Sequence, residues 1–176
     1  TISAIIKKNY PNIDELKTVL SARFIFDPQF KITINDAVIG IDQFEGFLKR
    51  EEATILDNIN ITLTALSSNK TAKDSQQHGV AFWVNKRLVG EPSWHLNKKY
   101  LADGRTTMAK QYTIIVQTND LLSDINQDWT AFKENDRMEA VYEVVESFTN
   151  DVLKEANAMK NDDFKVYANK VKNEFK

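Results

Sequence analysis

Apolar and polar positions follow two rhythms in this chain, and the change between them comes just after Phe132. Before it, apolar residues mostly alternate with polar ones, the period of a half-buried strand. After it they recur at three and four residues, the period of a helix that buries one face. The cleanest alternation is Ile59, Ile61, Leu63 and Ala65 against Asn60, Thr62 and Thr64. Residues 79–84 (GVAFWV) and 112–118 (YTIIVQT) are denser apolar runs, and the β-branched content of the second marks it as the central strand.

The remaining elements fall between these anchors. Residues 1–8 read as a short strand. Asn12 and Glu15 form a capping pair that opens a helix carrying Ile13, Leu16, Leu20 and Phe24, which Asp27-Pro28 ends. Phe30, Ile32 and Ile34 predict a strand, Asn35-Asp36 a turn, and residues 37–41 the returning strand. Asp42 caps a short helix with Phe44, Phe47 and Leu48, followed by a charged connector over 49–52. The polar stretch 67–77 is a long loop, and the strands on either side of it form a hairpin ending at Asn85.

Gly90-Glu91-Pro92 stops the next strand, residues 94–101 are a brief helix or an irregular excursion, and Asp103-Gly104 is a tight turn. In the helical part, Val141, Val144, Val145, Phe148, Val152 and Leu153 share one face. Asn161-Asp162-Asp163 breaks the pattern and caps a last helix with Phe164, Tyr167, Val171 and Phe175.

Bulk properties narrow the function classes. With 42% apolar and 27% charged residues, a chain of 176 closes one core with an appended helix. The absence of cysteine removes disulfides, thiolate metal sites and cysteine nucleophiles, and fits a cytoplasmic setting. No apolar run reaches the roughly 18 residues of a membrane span, so no membrane is expected as a partner. The chain opens on Thr1 directly in a strand-like run, as a segment of a longer protein would.

Charge is polarised. Residues 67–110 hold eight Lys/Arg and three Asp/Glu, a balance of +5, whereas 119–163 hold four and twelve, a balance of −8. Lys86, Arg87, Lys98, Lys99, Arg105 and Lys110 are candidates for phosphate or interface contacts, so one reading of the chain is a non-enzymatic module binding nucleic acid or protein.

Catalytic signatures are missing. Five glycines form no phosphate-binding loop, and there is neither a His-Glu-x-x-His motif nor a Gly-x-Ser-x-Gly elbow. His78 and His95 have no second ligand at metal spacing. Asp120, Asp124 and Asp128 would line up on a helix and hold a divalent cation, but Ile125 and its surroundings do not read as helix, and no metal site is assigned.

The order of elements resembles a known group. The capped helix ending in Ala22-Arg23-Phe24, followed by Phe30-Lys31-Ile32-Thr33-Ile34-Asn35, resembles the opening of the second domain of MutL-type mismatch-repair ATPases. Val84-Asn85-Lys86-Arg87-Leu88-Val89 is similar to that family's Val-Asn-Gly-Arg turn, with Lys86 replacing glycine. Residues 122–133 resemble the loop that carries a lysine into the ATP site. The closer likeness is to MORC-type ATPases and their bacterial relatives, where Gln127-Asp128-Trp129 matches Gln-Asp-Phe. Both belong to the GHKL group, and the likeness extends from Thr1 to about Ala156.

The resemblance implies an α+β fold, an α/β sandwich of the ribosomal-protein-five second-domain type, with a mixed sheet, helices on one face and a C-terminal helical extension. Residues 1–12 would be the last strand and linker of an ATP-binding domain, 13–158 the transducer, and 159–176 the extension. It implies a module that couples ATP and magnesium bound upstream to movement, inactive alone and working in a homodimer. Asn126, Gln127, Asp128 and Lys133 would form the nucleotide-sensing loop. Asn126 stands where the family has lysine; asparagine donates a hydrogen bond but brings no charge. Lys133, Arg87, Arg105 and Lys110 are the alternative cations.

Overall fold

The computed structural model describes residues 32–34, 37–39, 46–67, 78–107 and 109–174. The expected first strand, the helix opening at Asn12 and most of the 67–77 loop lie outside them. The fold is α+β, a mixed five-stranded sheet with a C-terminal helix. Strands β1 (Ile32–Ile34) and β2 (Ala37–Ile39) pair antiparallel, as the alternation predicts, while the expected turn at Asn35-Asp36 lies outside the described residues. The main sheet contains β3 (Phe47–Ile55), β4 (Ile59–Ser67), β5 (Gly79–Val84), β6 (Arg87–Ser93) and, after a small β7 (His95–Leu96) and β8 (Lys99–Tyr100) hairpin, β9 (Tyr112–Thr118). Its spatial order is β3-β4-β9-β5-β6. Helix α1 (Asp136–Glu174) follows.

The expected hairpin between β4 and β5 does not form. Strand β9 inserts between them, antiparallel to β4 and parallel to β5. A strand with two ladder partners and both faces covered carries a continuous apolar run, and β9 is the strand with that composition; Ile114, Ile115 and Val116 are all fully buried.

Residues 47–55 are an edge strand rather than a short helix and connector. Lys49, Arg50, Glu51 and Glu52 mask its alternation, yet they suit a sheet edge, where charge discourages pairing with another chain. Strand β6 continues through Gly90-Glu91-Pro92, because on the opposite edge the missing Pro92 amide costs no ladder bond. Asn97 and Lys98, both at positive φ, turn the β7–β8 hairpin.

Helix α1 lays Met138, Val141, Val145, Phe148 and Val152 on the sheet at spacings of three and four. They meet Ile59, Ile61 and Leu63 of β4, Val80, Phe82 and Val84 of β5, and Ile114 and Val116 of β9. Burying each such side chain stabilises by about 1.5–3 kcal/mol. The expected break at Asn161-Asp162-Asp163 is absent, and the helix runs through it. Among the described residues no helix is long and apolar enough to cross a membrane.

Candidate functional site at the carboxyl end of the parallel strands

Strands β5 and β9 run parallel in register from Gly79 opposite Thr113 to Val84 opposite Thr118, so they finish at one end of the sheet. Two connections leave that end side by side: the Asn85-Lys86 turn into β6, and residues 119–135 into α1. In open sheets the carboxyl ends of parallel strands are where ligands are usually met. The Asn85 amide donates to Thr118 O at 3.1 Å and ties the two connections at their roots. Asn85 and Lys86 both take positive φ, the geometry of a tight two-residue hairpin.

The longer connection is built on two buried pins, Leu121 and Ile125. Ile125 bridges to Phe132, which packs edge-on against Phe82 at 5.2 Å, and residues 126–131 close as a knuckle above that bridge. Asn126 N donates to Ala131 O (2.9 Å) and Trp129 N to Asn126 O (3.0 Å). The knuckle docks on β6 through Gly90, whose amide donates to Trp129 O at 2.8 Å. A Cβ at Gly90 would lie 2.6 Å from Thr130 O, so only glycine permits this approach.

Of the residues the resemblance singles out, Asn126, Gln127 and Asp128 lie on the knuckle. Gln127 and Asp128 are exposed at the tip and Asn126 is half-buried beside them. The Asp128 carboxylate accepts the Thr130 amide (3.1 Å) and hydroxyl (2.8 Å), bonds that hold its carboxyl below the ordinary range. Lys133 is turned away from the tip: its Nζ donates to Ser123 O at 2.7 Å. Arg87 reaches the knuckle from the neighbouring turn, its guanidinium 4.3 Å from the centre of the Trp129 ring. Such a contact at an exposed site contributes about 0.5–1 kcal/mol.

None of the other basic candidates is seen on the Trp129 ring, and Lys98 meets the longer connection only at its base. Arg105 pairs with Asp103 at 3.0 Å, Lys98 with Glu134 at 3.5 Å and Lys99 with Glu146 at 3.0 Å. Lys110 precedes β9, at the opposite end of a strand roughly 20 Å long. The six basic residues thus do not form one patch.

Nor do the three aspartates converge. Asp120 accepts the Asn60 amide at 2.9 Å, Asp124 is buried against Asn135 and Arg137, and Asp128 holds Thr130. Among the described residues no group of three metal-ligating side chains lies together.

Two features had escaped the sequence. The buried Asp124 links the knuckle to the helix: it accepts Asn135 Nδ2 at 2.9 Å and lies 3.4 Å from Arg137 Nε, while Asn135 Oδ1 accepts the Met138 amide at 2.9 Å as the helix cap. Asparagine directly before a helical start whose first turn carries Asp136 and Glu139 was the available signal. The second feature is an open cleft of about 720 Å³ beside the same turn, with Trp83, Lys86, Gln117 and Asp120 in its lining. Trp83 and Gln117, opposite one another on neighbouring strands, were its trace in the pattern. No protein-family model matches the chain, and no curated protein is significantly similar to it in sequence.

Proposed function

We propose that this chain is the transducer domain of a GHKL-type ATPase, an α/β sandwich of the ribosomal-protein-five second-domain type that relays events in a nucleotide pocket carried upstream. The observation that supports it most is the double attachment of the knuckle. On one side it is bonded to β6 through Gly90 and Trp129; on the other, Asp124 and Asn135 fasten its base to the first turn of α1. A group that pulls on Asn126, Gln127 or the backbone between them displaces a rigid loop, and the cap passes that displacement to a helix of 39 residues.

The neutral donors at the tip can contact phosphoryl oxygens, while ATP and magnesium are held by the upstream domain and paired subunits close around them. Without that domain the module does not turn over nucleotide. The test is a protein extended upstream of Thr1. It binds ATP with magnesium and hydrolyses it, and replacing both Asn126 and Gln127 by alanine lowers kcat more than it raises KM. An extended protein that neither binds nor hydrolyses ATP rules the assignment out.

A further inference from the structure

The cation candidates near the knuckle differ in what already holds them. Lys133 donates to a carbonyl at the base of the loop, and Arg105 is engaged by Asp103 on another segment. Among the described residues neither Lys86 nor Arg87 has a carboxylate within ion-pair distance. Asp128, the carboxylate at the tip, is occupied by two bonds from Thr130. Arg87 is therefore an exposed cation without a neutralising partner among the described residues, beside the segment that offers Asn126 and Gln127.

Its side chain is also oriented. With its Cζ 4.3 Å from the centre of the Trp129 ring, the guanidinium is held beside the knuckle, and its N–H donors suit two oxygens of a phosphoryl group. The support under it is itself tightly placed. Trp129 takes φ of +61°, uncommon for a side chain of that size, and its carbonyl is fixed by the Gly90 amide.

On these grounds we propose that Arg87, supplied by the β5–β6 turn and positioned by Trp129, is the cation that meets the terminal phosphoryl group of ATP, in place of a lysine within the loop. This rests on the ATPase reading above. In the reaction, the oxygen of water bonds to the γ-phosphorus and the bond to the β,γ-bridging oxygen breaks. Its electron pair leaves with ADP, and the proton lost by water goes to solvent. Arg87 remains protonated throughout and offsets charge on the transferring oxygens.

The experiment uses the upstream-extended protein and compares wild type with Arg87→Ala, Arg87→Lys, Trp129→Ala, Trp129→Phe and, as a matched loss of an exposed arginine, Arg105→Ala. Steady-state ATP hydrolysis and binding of a non-hydrolysable analogue are both measured. Arg87→Ala is expected to lower kcat on the order of 10²-fold, with analogue affinity falling much less. Arg87→Lys recovers part of that loss, Trp129→Ala lowers kcat, Trp129→Phe restores most of it, and Arg105→Ala matches wild type.

Wild-type turnover beside an equally active, folded Arg87→Ala protein overturns this assignment and leaves the ATPase reading standing. A wild type without turnover overturns both. Duplex DNA is the control for the other source of phosphate. If Arg87→Ala keeps full hydrolysis but loses salt-sensitive DNA binding, the arginine serves a nucleic-acid backbone and the assignment is wrong.

Discussion

Asn135 holds Asp124 with one end of its amide and caps α1 with the other: Nδ2 donates to Asp124 Oδ1 and Oδ1 accepts the Met138 amide, both at 2.9 Å. Aspartate and asparagine are close to equivalent as helix caps in general. Here they are not, because Asp124 is 4% exposed and needs the donor that only the amide provides. Asn135→Ala loses the cap and one bond to a buried carboxylate, and is expected to cost about 2–3 kcal/mol. Asn135→Asp keeps the cap but sets a second carboxylate against Asp124, and is expected to cost at least about as much. Urea denaturation of the two variants is the check; an Asn135→Asp protein as stable as wild type would remove Asp124 as the link between knuckle and helix.

Gly90 is where the knuckle can be released without touching any residue at its tip. Its φ of +64° already disfavours other residues by about 1–2 kcal/mol, and a Cβ would lie 2.6 Å from the Thr130 carbonyl oxygen. Backbone atoms cannot yield as a flexible side chain does, so Gly90→Ala must either strain β6 or lift residues 126–131. A loss of about 2–3 kcal/mol is expected, with faster amide exchange at Asn126 and Trp129 than in the rest of the sheet. Uniform protection across these residues in Gly90→Ala would show that the docking is not what orders the loop.

The sequence was most legible where a residue's surroundings are decided nearby. The run 112–118 is apolar enough to be central wherever its partners come from, and the alternation over 32–39 carries the pairing of two strands adjacent in sequence. Strand order is a different kind of information: nothing in residues 59–84 says that β9, beginning only at Tyr112, will separate β4 from β5. Residues 49–52 hid β3 because an edge strand can place charge on much of its length. Asn161-Asp162-Asp163 looked like a break, but Asn and Asp each cost only about 0.5–0.7 kcal/mol against alanine within a helix, too little to stop one already formed. At the site, the motif 126–128 was visible as a loop, whereas the contact between positions 87 and 129 depends on two connections sharing one end of a sheet.

At the opposite end of β5, His78 introduces a dependence on pH. Both ring nitrogens are buried and have no hydrogen-bond partner among the described residues. Burial lowers its pKa from the ordinary 6.5, and the nearby positive charge of Lys110 lowers it further. The depressed value means that the unfolded chain takes up the proton first as acid is added. Above 6.5 both states are neutral and the native state bears no penalty; below it, stability declines until the pH reaches the lower, folded value. Phenylalanine fills similar space and cannot be protonated. The urea midpoint of the wild type is therefore expected to fall between about pH 7.5 and about pH 5.5 by more than that of His78→Phe. Equal falls in the two proteins would place the acid sensitivity elsewhere, and a larger fall in His78→Phe than in the wild type would mean that His78 is stabilised in its charged form.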